Sequence, residues 1–204
     1  KVVPSSQSLR DLRILDVGCG GGLSAEALAR LGASVIALDA SEENIQVARN
    51  HARLDPTTSS IEYMHSTIES LREKPEYQES FDAVLGLEVI EHIDNIPLFL
   101  ESCAACLKNG GTFILSTINR TPQSYITAII GAEHMLRILP PGTHDWNKFL
   151  TPNEMRAFLA DQSLHMHDVT GLVAEPSLSN PGSNWTLDPT NVRVNYIIAA
   201  TKLM

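Results

Sequence analysis

Two acidic residues and a histidine lie close together in the stretch EVIEHID (88–94), directly after an apolar run. Glu88, Glu91 and His92 occupy positions i, i+3 and i+4, which lie on one face of an α-helix. Two carboxylates suit a hard divalent cation such as Mg²⁺ or Mn²⁺, and one imidazole would also tolerate Zn²⁺. The pattern predicts a metal site at these three residues, with catalytic roles for Glu91 and His92. General-base catalysis without a metal and a purely structural role stay open.

A glycine-rich stretch, ILDVGCGGGLSAEAL (14–28), runs from an apolar segment into a helical pattern. Glycines at such a junction let the backbone approach a ligand and leave the first N–H groups of the helix facing it. Asp39 closes the next apolar run, 21 positions after Gly18, where a carboxylate can accept both hydroxyls of a ribose. We therefore expect Asp16, Gly18, Gly20 and Asp39 to bind a cofactor that contains adenosine.

Two cofactors fit that description. The stretch GGGLSA (20–25) formally satisfies the dinucleotide pattern, so a nicotinamide-dependent oxidoreductase is one candidate. The spacing of Asp16, Gly18, Gly20 and Gly22 is that of the D-x-G-x-G-x-G motif of class I methyltransferases, which favours S-adenosylmethionine. A tight turn without a ligand is the structural alternative.

Short apolar runs alternate along the chain with segments of helical periodicity. This alternation predicts an α/β fold with a parallel sheet and helices on both faces, because parallel neighbours need a crossover. The expected strands are 12–17, 33–39, 61–65, 81–87 and 111–117, with two further β-like stretches at 165–173 and 192–201. The expected helices are 23–31, 42–52, 67–73, 97–107 and 122–138, and another opened by TPNE at 151–154.

Length and charge narrow the classes of protein. A chain of 204 residues suits one domain, residues 1–204, since two independent cores would need more chain. The net charge of −9 disfavours polyanionic partners, so no nucleic-acid partner is expected. Three cysteines give no paired framework, so we expect free thiols.

Six blocks of sequence closely resemble successive blocks of the ubiquinone biosynthesis O-methyltransferase family. They are LDVGCGGG, LEVIEH, STINRT, GTHDWNKFLTPNE, VTGLV and VNY, and the resemblance runs in order from about residue 12 to 201. It implies S-adenosylmethionine-dependent O-methylation of polyprenylated dihydroxybenzenes (catechols) in ubiquinone synthesis, with Mg²⁺ as the metal. It also implies a Rossmann-like, seven-stranded class I methyltransferase sheet whose last strand is antiparallel.

The resemblance further implies roles for individual residues. Gly18, Asp39 and Leu87 would contact the cofactor, and Thr67 and Ile68 would neighbour the adenine by their place in the fold. Methyl transfer to another small molecule or an RNA end, and a non-catalytic role in a biosynthetic complex, are the alternatives.

An inserted helix and loop are expected at 120–150, after the fifth strand. The segment is strongly apolar, and a polyprenyl tail must be met at a bilayer, so it could form a substrate lid or a membrane-facing patch. The loop PPGTHDW (140–146), with His144, would lie on the substrate side. We expect peripheral contact with the mitochondrial inner membrane on its matrix face, with the bacterial cytoplasm as the alternative.

Overall fold

An eight-stranded mixed sheet organises the chain in the computed structural model, which describes residues 8–126, 145–174 and 185–204. The order of the strands across the sheet is β3-β2-β1-β4-β5-β8-β6-β7. Their bounds are β1 Arg13–Val17, β2 Ser34–Asp39, β3 Glu62–His65, β4 Phe81–Leu87, β5 Leu107–Ile118, β6 Leu164–Ala174, β7 Trp185–Asp188 and β8 Asn195–Lys202.

Strands β1 to β5 are parallel, and β8 runs antiparallel to both of its neighbours, β5 and β6. The prediction of an antiparallel last strand is therefore confirmed. The expected number of seven strands is wrong for the described residues, because β7 pairs antiparallel with β6 as an eighth. Three of the four residues of β7 are exposed, so no buried apolar run marks this strand in the sequence.

Helices pack on both faces of the sheet, as predicted. Those on one face are α1 Leu23–Arg30 and α2 Glu42–Ala52, and those on the other are α3 Ile68–Arg72, α4 Ile96–Cys106 and α6 Pro152–Ala160. Alternate residues of each strand point to opposite faces. Leu15 thus joins one buried cluster while its neighbour Ile14 joins the other.

Polar side chains cap the starts of three of the helices. Ser41 accepts the Asn44 N–H at 3.3 Å at the start of α2, and Asn95 accepts the Leu98 N–H at 3.2 Å at the start of α4. The side chains of Thr151 and Glu154 form a reciprocal capping box at the start of α6. Each cap satisfies backbone donors that have no partner within the helix.

The inserted segment predicted at 120–150 is described only at its ends. A short helix, α5 Pro122–Ser124, follows β5 at the start of the helix predicted over 122–138. Residues 127–144, including His144, and residues 175–184 lie outside the described residues.

All three cysteines, Cys19, Cys103 and Cys106, are buried free thiols, as expected. In the ranges that the structure describes, no helix is long and apolar enough to cross a membrane.

Candidate active site

The glycine loop joins β1 to α1 through left-handed backbone conformations. Gly18, Gly20 and Gly22 have φ values of 71°, 53° and 86°, a region that side chains other than glycine rarely adopt. The N–H groups of Gly18 and Cys19 both donate to the Leu38 carbonyl, at 2.8 and 3.0 Å. The loop is thereby fixed against the end of β2.

The first two glycines of the loop have different surroundings. A Cβ atom at Gly18 would lie 2.6 Å from the Cγ2 atom of Val89, so this glycine is required by close packing. A Cβ atom at Gly20 would have no neighbour within 4 Å among the described residues. The backbone at Gly20 therefore borders open space, which a ligand can approach closely.

Asp39 is held beside this loop at the end of β2. Its Oδ2 atom accepts the Gly20 N–H at 2.9 Å, and its Oδ1 atom accepts the Ser41 N–H at 2.8 Å and the Asn44 side-chain amide at 3.2 Å. These donors orient the carboxylate toward the glycine loop, where ribose hydroxyls can donate to it.

A cavity of about 100 Å³ opens between the glycine loop and the start of α3. Gly18, Thr67 and Ile68 line it, as the prediction of an adenine site requires. Leu87 does not line this cavity; it is half-buried at the end of β4 and packs on the cluster that holds α1 and α2. The lining residues that the sequence analysis did not name are Val17, Leu38, Ala40, Ser66, Glu69, Val89, Ile93 and Phe99.

Asp16 lies beneath the glycine loop and is only 1% exposed. Its Oδ2 atom accepts the Ser24 hydroxyl at 2.5 Å. Burial raises the pKa of this carboxyl from its ordinary 3.8 to about 6, although hydrogen bonds from Ser24 and Ala25 oppose the rise. The ionised form is thus costly in this position, and a cationic ligand such as S-adenosylmethionine would favour it.

This pKa predicts a specific pH dependence of stability. Because the folded-state pKa lies above the unfolded value, the folded protein holds the proton more tightly, and stability present near pH 4 is lost as the pH rises through about 6. Asp16→Asn mimics the neutral form and should remove this loss, which is about 2 kcal/mol between pH 4 and pH 6 by linkage. Urea unfolding of both proteins at several pH values measures the difference. An equal difference in the free energy of unfolding between the two proteins at every pH would contradict the raised pKa of Asp16.

Glu88 follows β4 in a strained backbone conformation. Its φ of 52° is left-handed, which costs a residue other than glycine about 1–2 kcal/mol. Its Oε1 atom accepts the Ser116 hydroxyl at 2.6 Å, its Oε2 atom accepts the Asn195 side-chain amide at 3.3 Å, and its N–H donates to Ser116. Neighbouring strands therefore hold this exposed carboxylate at the carboxyl edge of the sheet.

Glu91 and His92 lie in a single 3₁₀ turn, Ile90–His92. The Glu91 side chain is buried, with 5% exposure, and its Oε2 atom accepts the Thr117 hydroxyl at 3.0 Å. Burial raises the pKa of Glu91, and the hydrogen bond from Thr117 opposes the rise. His92 is exposed at the end of the turn.

The expected convergence of Glu88, Glu91 and His92 on one metal ion is therefore not observed. That expectation assumed that the three residues lie in one α-helical turn. Instead, Glu88 has a left-handed backbone and Glu91 lies in a 3₁₀ turn, so their carboxylates lie in different surroundings. In the described part of the chain, no group of three His, Cys, Asp or Glu side chains is arranged to hold a metal ion. As arranged, these residues do not fit a three-ligand site.

The segment that follows the inserted loop packs onto the same edge of the sheet. The Lys148 ammonium lies 2.9 Å from the carboxylate of Asp94, the last residue of the stretch 88–94. The Trp146 indole N–H donates to the Thr121 carbonyl at 3.3 Å, and Asp145 caps the 3₁₀ turn Trp146–Lys148. The described part of the GTHDWNKF block thus borders the site.

Comparison with known proteins identifies the family. A methyltransferase domain family matches residues 15–115. The ubiquinone biosynthesis O-methyltransferase of Roseobacter denitrificans is 46% identical over 198 residues, which cover 97% of this chain and 76% of the relative. The mitochondrial protein of the same name from Arabidopsis thaliana is 44% identical and is covered over 59% of its length.

Solved structures agree on the fold. An S-adenosylmethionine-dependent methyltransferase from Methanosarcina mazei has a TM-score of 0.69 at 19% identity, covering 96% of this chain and 94% of that one. The magnesium protoporphyrin IX methyltransferase of Synechocystis has a TM-score of 0.68 at 20% identity, covering 95% and 75% respectively.

The glycine loop, the Asp39 carboxylate and the adjoining cavity together fit an adenosine-containing cofactor. The relatives and the domain match identify that cofactor as S-adenosylmethionine and the protein as a methyltransferase enzyme. This chain belongs to the ubiquinone biosynthesis O-methyltransferase family.

Proposed function

We propose that the protein transfers a methyl group from S-adenosylmethionine to one hydroxyl of a polyprenylated catechol. The single observation that carries the proposal is the junction at positions 88 and 89. Val89 lines the cofactor cavity, while Glu88, its chain neighbour, holds a carboxylate at the same edge of the sheet. This neighbourhood supports a cofactor site and an acceptor site that adjoin each other, as a direct methyl transfer requires.

The acceptor needs help to react at neutral pH, because a phenolic hydroxyl has a pKa of about 10. We assign His92 as the group that takes this proton and releases it to solvent, since a neutral imidazole nitrogen accepts a proton and this side chain is exposed. Glu88 accepts a hydrogen bond from the neighbouring hydroxyl and so fixes the orientation of the ring. Glu91, through its bond to Thr117, positions the turn that carries His92.

When bound, S-adenosylmethionine supplies an electrophilic methyl group on its sulfonium. The phenolate oxygen forms the new bond to this methyl as the sulfur–methyl bond breaks, which leaves a neutral thioether. No step in this scheme passes through a metal ion, because the described arrangement of the acids does not fit one. Assistance by Mg²⁺, with Glu88, Glu91 and His92 as ligands, stays a prediction.

One experiment tests the reaction and the metal together. The protein is incubated with S-adenosylmethionine and a short-tailed prenyl catechol, with and without EDTA, and the product is analysed by mass spectrometry. We expect mono-O-methylated catechol and S-adenosylhomocysteine in equal amounts. Absence of product from every catechol tried would overturn the proposed function. Loss of activity in EDTA with recovery on added Mg²⁺ would support the metal, whereas unchanged turnover would remove it.

The apolar substrate also bears on location. We propose that the protein contacts a membrane peripherally to reach its substrate, and that it works within a ubiquinone biosynthetic complex. The mitochondrial inner membrane on its matrix face stays the predicted site, with the bacterial cytoplasm as the alternative. The relatives include both a mitochondrial and several bacterial proteins.

A further inference from the structure

A groove of about 190 Å³ lies at the carboxyl edge of the sheet, apart from the cofactor cavity. Leu172 and Val173 of β6, Trp185 of β7, and Val194 and Asn195 at the start of β8 line it. Among the residues that the structure describes, none that lines the groove carries a charge. Such a surface is suited to an apolar group rather than to an ionic one.

The groove exists because the β6–β7 hairpin extends beyond the rest of the sheet. Pairing between β8 and β6 ends at Asn195 and Leu172, but pairing between β6 and β7 continues to Ala174 and Trp185. The last part of the hairpin therefore projects past the carboxyl edge, on the side of the sheet where Glu88 lies. Trp185 is 53% exposed at this projecting end.

Close backbone packing fixes the position of the β6–β7 hairpin beside the groove. A Cβ atom at Gly171 would lie 1.8 Å from the Asn191 carbonyl oxygen, so only glycine lets the segment before β8 pack against β6. The loop that carries Asn191 and Val194 is thereby held against the hairpin. The groove is part of the packed fold.

Asn195 connects the groove to the proposed acceptor site. The same residue lines the groove and donates its side-chain amide to the Glu88 Oε2 atom at 3.3 Å. A catechol that hydrogen-bonds to Glu88 would thus present a neighbouring ring substituent to the groove.

We propose that this groove binds the first isoprene unit of the substrate's polyprenyl tail and so selects tailed catechols over free ones. The inference rests on the proposed function and specifies its substrate. A cavity of about 150 Å³ lined by apolar side chains is known to hold one benzene molecule. The 190 Å³ of this groove are therefore sufficient for a branched five-carbon unit.

The test compares two substrates and three variants. Trp185→Ala removes an apolar side chain that lines the groove, and Val194→Asp places a charge in the groove. Leu187→Ala is the matched control, because Leu187 lies on the same strand as Trp185 but does not line the groove. Each protein is assayed with a diprenyl catechol and with the same catechol carrying a methyl group in place of the tail.

We expect Trp185→Ala to lower kcat/KM for the tailed catechol by about 10-fold, the effect of losing modest apolar contact. Val194→Asp should lower it further, and both variants should retain the wild-type kcat/KM for the tail-less catechol. Leu187→Ala should leave both values unchanged. Retained activity on the tail-less catechol serves as the check that the variants fold.

The two proposals fail in different ways. Equal losses on both substrates, or no loss on either, would overturn the tail-binding groove while leaving catechol methylation intact. Absence of methyl transfer from wild-type protein to either catechol would overturn the proposed function itself.

Discussion

Asp39→Ala is expected to weaken binding of S-adenosylhomocysteine by about 1,000-fold in calorimetry. Alanine would remove the carboxylate that we expect to accept hydrogen bonds from two ribose hydroxyls. Each such bond is worth about 1.5–3 kcal/mol when the acceptor is charged. The substitution would also remove the acceptor of the Gly20 N–H, which the carboxylate accepts at 2.9 Å, and so release the glycine loop. The first change acts on the bound complex and the second also loosens the loop in the free protein, and both raise the dissociation constant.

Glu43→Ala is the matched control for Asp39. Glu43 is an exposed acid in the first turn of α2, close to Asp39 in the chain. Its removal changes the local charge equally but should leave the affinity within about 2-fold. The affinity of Asp39→Asn should lie between those of Asp39→Ala and Glu43→Ala, since an amide oxygen can replace only one of the two carboxylate acceptors. Similar affinities for Asp39→Ala and Glu43→Ala would show that the sugar does not bind here.

Glu88→Gln is expected to lower kcat/KM for a tailed catechol by about 100-fold, with little change in affinity for the cofactor. The amide keeps the size of the side chain, but it is a weaker acceptor for a catechol hydroxyl. The ring would then be misplaced, and small errors of placement cost about this much in rate. Steady-state kinetics with both substrates varied separates this loss from any change in cofactor binding.

Glu79→Gln provides a closely matched control for Glu88→Gln. Glu79 is also exposed, also left-handed, with a φ of 46°, and also held by a partner, the Lys202 ammonium at 3.2 Å. It precedes β4, so it lies at the opposite edge of the sheet. A similar loss of activity in both variants would indicate a general effect on stability and would remove Glu88 from the acceptor site.

The sheet and the cofactor side could be predicted because their signals are local. Apolar runs predicted the positions of β1 to β4 to within about a residue. Several glycines in a strand-to-helix turn are typical of a loop that binds a nucleotide-containing cofactor. Asp39 followed from its position at the end of the next strand. Each inference needed only residues near one another in the chain.

The acceptor side was less predictable because it depends on the path of the backbone and on distant partners. The i, i+3, i+4 rule applies to an α-helix, and it failed where Glu88 turned left-handed before a single 3₁₀ turn. The partners of Glu88 are Ser116 and Asn195, the second 107 positions away. No periodicity in the sequence reports such a contact.

Gly18 and Val89 contact each other so closely that no larger residue fits at position 18 while Val89 is present. The Val89 side chain fills the space that a Cβ atom at position 18 would need. Val89 directly follows Glu88 in the chain. Enlarging the first residue would push on the second, and the disturbance would reach methyl donor and methyl acceptor together. In evolutionary terms, a larger residue at position 18 would first require a smaller residue at position 89, 71 residues along the chain.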